Sequence, residues 1–204
     1  MRAMNRSILP VAVAAAAIVT AVAAALPAQA MTPMPGSPCE MTGMVMTVAG
    51  KSYVCQRGTG NAGTWSPPLA NTTSRLTMKD GWAKAAESGM SAAFGVVSNP
   101  TNKDIVIIGA ASPLSSMVQI HEMVMKDGAM VMQEVTGGLK VPAKGSIELK
   151  PGGNHLMFMG IKRPIKPGQI VPMSLLTSDG GRLTVKVLAK NYSAANEQYN
   201  PGTM

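Results

Sequence analysis

Between residues 117 and 125, Val118, Ile120 and Val124 alternate with Gln119, His121, Met123 and Met125. This is the period of a strand with one apolar and one chemically distinct face. Comparable short runs lie at 91–97, 105–111, 129–135, 146–149, 155–159, 170–177 and 183–188, with Gly, Pro, Asn and Asp between them as turn markers. Strands spaced by roughly 8–12 residues without a helical period predict an all-β antiparallel sandwich. The domain is expected over 75–190, followed by a flexible tail at 191–204. Asp80 to Ala86 permits a short turn or a helix.

The first thirty residues follow a different pattern. Arg2 and Arg6 precede an apolar run from Ile8 to Leu26 that closes on Ala28-Gln29-Ala30, a secretory signal with an A-x-A cleavage site. The run is nearly long enough to span a bilayer, so an uncleaved anchor is the alternative. Export implies an oxidising compartment, periplasmic or at the cell surface, in which Cys39 and Cys55 form one disulfide. Residues 31–74 are then expected to hold a small hairpin, turning at Ala49-Gly50-Lys51 and clamped by that disulfide, because a lone hairpin is marginal in water. Asn61 to Thr73, with Pro67-Pro68, reads as linker.

The formal charge is +8, of which Arg2 and Arg6 contribute two. The remaining lysines and arginines are dispersed and form no basic run with interleaved aromatics, which argues against a nucleic-acid partner. Eighteen methionines against two phenylalanines change the picture more. Met ordinarily fills gaps in cores, so the position of each one decides its meaning.

Asp127-Gly128 follows the 117–125 strand and predicts a two-residue hairpin turn. Pairing outward from that turn sets Lys126 opposite Ala129, Met125 opposite Met130, Met123 opposite Met132 and His121 opposite Glu134. His121 and Met132 become diagonal neighbours on one face, at a Cβ separation of about 7–8 Å. A one-residue bulge would alter these pairs. A second His-x-Met begins after Pro151-Gly152-Gly153-Asn154: His155, Met157 and Met159 share a face, while Leu156 and Phe158 point to the core. The chain has two histidines in all, and each stands two residues before a methionine on its own face. Imidazole and thioether donors without a carboxylate suit Cu(I), and equally Ag(I), better than Zn(II), Ca(II) or Mg(II). Thioethers are not consumed by disulfide formation, which fits an oxidising compartment. For Met123, Met125, Met130 and Met159 core or rim packing is the favoured reading, with Met123 and Met159 also placed to serve as alternative donors or as the wall of the site, and Met31, Met34, Met41, Met44 and Met46 are candidates for an auxiliary soft-metal patch.

His121, ten residues, Met132, and later Pro-Gly-Gly-Asn-His-Leu-Met-Phe-Met-Gly over 151–160, together with Asp80-Gly-Trp-Ala83, Val118-Gln-Ile-His-Glu122 and Gly160-Ile-Lys-Arg-Pro164, resemble the PCuAC copper-chaperone family over about residues 76–188. The resemblance implies a cupredoxin-like (Ig-like) β-sandwich and a Cu(I) site of His121, Met132, His155 and Met157. It also implies copper delivery to an acceptor such as cytochrome c oxidase subunit II or another copper chaperone. The 22 residues between Met132 and His155 exceed the family's usual spacing by about one, which Gly137-Gly138 can absorb in a loop. Residues 191–204 contain no His, so a further His/Met site in the tail is not expected.

Three other functions fit less well. A blue-copper electron carrier needs a Cys thiolate beside two histidines, and both cysteines are expected in the disulfide. An enzyme would need a nucleophile with a base or an acid–base pair, and no such grouping stands in the sequence. A non-metal surface or adhesion module built on a plain sandwich is the third rival, and copper titration decides it. Copper resistance or storage shares the site chemistry and differs only in destination. Membrane contact is expected only through a partner or an uncleaved signal.

Overall fold

A computed structural model of the chain describes residues 33–57, 62–70 and 72–193. The export signal expected over 1–30 and the tail beyond Ser193 lie outside the described residues. The described residues form strands and no helix.

The main body contains β6 (Thr77–Lys84), β7 (Met90–Ser98), β8 (Ile105–Ala111), β9 (Ser115–Lys126), β10 (Ala129–Glu134), β11 (Leu139–Val141), β12 (Ser146–Leu149), β13 (His155–Ile161), β14 (Ile170–Thr177) and β15 (Gly181–Lys190). In space they run β10-β9-β13-β7-β6-β15-β14-β8-β11, and an Ala110–Val118 bridge between β8 and β9 closes the sandwich on itself. Leu76, Val97, Ile107, Val118, Ile120, Leu149, Leu156, Phe158, Val171 and Leu175 fill the interior. This is the all-β sandwich that the strand pattern predicts and the cupredoxin-like fold that the family resemblance implies.

Two details differ from expectation. The segment around Asp80 is neither turn nor helix but the middle of β6, whose register against β7 shifts between Lys79 and Trp82, with Asp80 at φ 51°. The irregularity breaks the period of two and hides the strand from pattern reading. β6 also pairs with β15 in parallel, through Leu188–Trp82, Ala189–Ala83 and Lys190–Lys84, so the sandwich is not wholly antiparallel.

The N-terminal segment is larger than a hairpin. β1 (Pro38–Cys39), β2 (Val45–Val48), β3 (Lys51–Arg57) and β4 (Gly63–Trp65) form a four-stranded sheet in the order β1-β4-β3-β2. Ala49 and Gly50 make its two-residue turn, and the Cys39–Cys55 disulfide joins β1 to β3. Gly63 lies where a Cβ would stand 2.8 Å from Cys55 Sγ and 3.0 Å from Cys39 Sγ, closer than any larger residue allows. The described part of 61–73 is not linker. It contributes β4 and β5 (Thr72–Thr73), and Ser66 and Leu69 are buried. A four-stranded sheet has an apolar face to cover. Val54 and Leu69 meet that need by packing with Leu176, Ile108 and Val45, and Arg182 donates to Ser52 Oγ at 2.9 Å.

Candidate metal centre

The Asp127-Gly128 turn has both residues at positive φ, 51° and 80°, as a type I′ turn requires. The register that follows is the expected one throughout, from Lys126–Ala129 to His121–Glu134. The second strand of the site is positioned by a detour. Leu149 opposes Gly95 and Leu156 opposes Ala93, so residues 150–154 loop out while the chain advances two positions along β7. Lys150 N donates to Asn154 O and Gly153 N to Lys150 O within this loop. The strand resumes at His155, directly opposite His121 on β9.

The two imidazoles meet edge to face with centroids 5.7 Å apart, and His155 Nε2 lies 3.3 Å from Met132 Sδ. Met157 opposes Gln119 on β9, diagonal to His121 on the same face. All four are buried, with relative exposures of 1% for His121, 4% for Met132, 0% for His155 and 5% for Met157. Met123 faces Met132, while Met159 lies further along between Met117 and Met90. Of the two alternative donors, Met123 is thus the cross-strand neighbour of a proposed ligand, and Met159 belongs to a separate row of methionines.

Each imidazole is oriented by a hydrogen bond. His155 Nδ1 donates to Gly153 O at 2.9 Å, which places the lone pair on Nε2, the nitrogen facing Met132. His121 Nε2 donates to Gln119 Oε1 at 3.0 Å. The amide orientation follows from its other end, where Gln119 Nε2 donates to Thr42 O (3.1 Å), Thr42 Oγ1 (2.9 Å) and Glu134 Oε2 (3.4 Å). Thr42 Oγ1 in turn donates to Glu134 Oε2 at 2.6 Å, and Arg57 Nη1 stands 3.5 Å from that oxygen. Phe94 flanks His155 at 6.1 Å, and Trp82 stacks on Phe94 at 4.5 Å.

Burial, with the neighbouring His155 and Arg57 adding to it, lowers the His121 pKa to about 3. Burial also raises the Glu134 carboxyl, against the opposing pull of Thr42 and Arg57. Burial and the neighbouring positive charge thus keep the His121 imidazole neutral, the form that binds metal. For folding, His121 stays neutral in the native state while the unfolded residue protonates near 6.5. Below 6.5 the unfolded chain therefore binds a proton that the native one refuses, and stability falls with pH towards 3. The metal-free protein is expected to lose about 2 kcal/mol more than a His121→Leu variant between pH 7.5 and 5, measured by urea unfolding at each pH. Equal losses in both proteins would show that His121 is not the group responsible.

Sequence reasoning placed the four candidate ligands but missed Thr42, Arg57 and Phe94. Only Phe94 left a local trace, as an inward position on a recognisable strand. Thr42 is set by Gly43, at φ 80°, whose Cβ position would fall 2.7 Å from Gln119 Cγ and 2.8 Å from Val118 O. Among the described residues no group of three or more His, Cys, Asp and Glu is placed to hold a metal.

Fold and site together define a cupredoxin-like sandwich with a buried His/Met cluster. A family model described as "Putative lipoprotein LpqE-like" matches residues 76–189, the stretch over which the sequence resembles the PCuAC family, and the chain belongs to this LpqE-like family. It is 46% identical over 118 residues to "Putative lipoprotein Lxx21020" of Leifsonia xyli subsp. xyli, covering 58% of this chain and 71% of that protein. Among solved structures it is similar to the copper-bound PCuAC domain from PmoF2, at 17% identity and TM-score 0.49, over 59% of this chain and 97% of that one. The solution structure of CuI-DR1885 from Deinococcus radiodurans is similar at 30% identity and TM-score 0.44, over 56% of this chain and 78% of that one.

Proposed function

We propose that the protein is an exported copper chaperone that carries one Cu(I) on His121, Met132, His155 and Met157 and releases it to a copper-accepting protein. The observation that carries this reading is the buried juxtaposition of His155 Nε2 and Met132 Sδ at 3.3 Å beside His121. A lone pair fixed by the Gly153 carbonyl faces a soft sulfur there, in a pocket without a thiolate. Neutral donors leave the ion its charge, so affinity is moderate and transfer is feasible. Ag(I) shares the preference for soft donors and serves as a surrogate. The donor set is poorly suited to activating water, which supports a carrier over an enzyme.

Export is supported by the signal-like pattern of residues 1–30 and by the lipoprotein description of the relative from Leifsonia. Both cysteines of this chain are engaged in the disulfide, so neither thiol is available to carry a lipid. Cytochrome c oxidase subunit II is the acceptor implied by the PCuAC resemblance, with another copper chaperone as the alternative. Anaerobic Cu(I) titration against a chromogenic chelator tests the site. One sub-micromolar equivalent, lost in the His121→Ala/His155→Ala variant, is expected; no such binding, or binding indifferent to both substitutions, overturns it. Deleting the gene tests the destination. A copper-rescued oxidase defect supports delivery, and copper sensitivity with normal oxidase would replace delivery by detoxification.

A further inference from the structure

The free end of the β9–β10 hairpin is unusual for a strand tip. Met125 and Met130 face each other next to the turn and are 66% and 51% exposed, where a soluble protein ordinarily places charge. Their pairing has a consequence for sulfur geometry. In a two-residue hairpin the pair flanking the turn, Lys126–Ala129, exchanges hydrogen bonds, and close non-hydrogen-bonded pairs alternate from there. Met125–Met130, Met123–Met132 and His121–Glu134 are thus all close pairs, with Cα atoms about 4.5 Å apart, and they share one face. Met123 is also diagonal to Met130, within reach of a long flexible side chain. The opposite face of the hairpin carries Glu122, Lys126 and Gln133, with Gln133 Nε2 bonded to Glu122 Oε1 at 3.0 Å. Val124 and Val131 share that opposite face, and Glu134 lies on the methionine face only at the far end of the hairpin, so beside the turn the exposed methionines have no charged residue on their own face.

From these observations we infer a second soft-metal site, formed by the thioethers of Met123, Met125 and Met130 at the hairpin tip, through which Cu(I) reaches the buried centre by way of Met132. Three neutral thioethers satisfy a trigonal Cu(I) or Ag(I) and discriminate against hard divalent ions. The site is weaker than the buried one because it lacks imidazole. Met132 belongs to both neighbourhoods, since it faces Met123 across the hairpin and touches His155. Each step from tip to centre is about 7 Å, two residues of strand rise. Transfer is a ligand exchange in which one Cu–S bond forms as another breaks, the ion stays Cu(I), and no proton moves. The relay rests on the proposed carrier function; the tip site itself does not.

The test uses the mature chain with 13C-labelled methionine methyls, titrated with Ag(I), a redox-inert and diamagnetic probe. The first equivalent is expected to move the Met132 and Met157 methyls, and the second those of Met123, Met125 and Met130. In a Met125→Leu/Met130→Leu variant, nearly isosteric at two exposed positions, the second equivalent is lost and the first retained. Stopped-flow loading of that variant from a Cu(I) chelate slows by about tenfold, equivalent to about 1.4 kcal/mol on the barrier. Tip methyls unmoved by excess Ag(I) overturn the second site, and wild-type loading by the variant overturns the relay. Failure of the carrier reading has a different signature: the Met132 and Met157 signals stay in place whatever the tip does.

Discussion

His155→Ala is expected to lower Cu(I) affinity by more than about a hundredfold, beyond the 10–100-fold range typical for loss of a group that merely supports a metal ligand. His155 is central in the candidate centre: its Nδ1 is held by Gly153 O, its Nε2 faces Met132 Sδ, and its ring meets that of His121. The substitution also removes a partly buried hydrogen bond and leaves the Gly153 carbonyl to find another partner, at about 1–3 kcal/mol of stability. Met132→Leu separates the two effects. Leu nearly conserves the buried volume and usually costs less than about 1.5 kcal/mol, yet it deletes the sulfur. Chelator competition on both variants, with urea unfolding alongside, checks the claim. Met132→Leu binding Cu(I) as tightly as the unaltered protein would remove Met132 from the ligand set.

Removing the disulfide is expected to have the second largest effect, and to reach the centre from a distance. Cys39→Ser/Cys55→Ser frees a loop with a sequence separation of 16, for which chain entropy alone predicts a loss of about 3 kcal/mol. Thr42 is three residues from Cys39, and Gly43 N donates to Cys55 O at 2.8 Å. Loosening the N-terminal sheet therefore loosens the Thr42 contacts that orient Gln119, and through Gln119 the His121 ring. Urea unfolding should show the stability loss, and Cu(I) affinity should fall by about 10–100-fold, the range for an orienting group. Unchanged affinity in a destabilised variant would confine the N-terminal sheet to a structural role.

The β9–β10 hairpin was legible because two rules agreed there. Asp127-Gly128 specifies a turn whose register admits one pairing, and the alternating pattern on either side agrees with it. The strands at 105–111, 146–149 and 170–177 were legible because apolar positions and turn residues bracket them. β6 was not, since the shift at Lys79–Trp82 interrupts its period and its parallel partner β15 lies about a hundred residues away. The N-terminal segment looked like a hairpin and linker because β1 has two residues and β4 three, too short for any period to register.

By itself, the sequence determined the sandwich class, the faces of the chemically distinct strands, the His121–Glu134 register and the soft character of the candidate donors. Alternation and turn chemistry are local, acting over a few residues. The tertiary structure alone decided that His121 and His155 lie directly opposite each other, because the loop at 150–154 sets where β13 resumes against β9. It alone brought Thr42 and Arg57, separated from Glu134 by 92 and 77 residues, to a carboxylate beside the centre. Contacts at such separations depend on how whole sheets pack, and no local pattern encodes them.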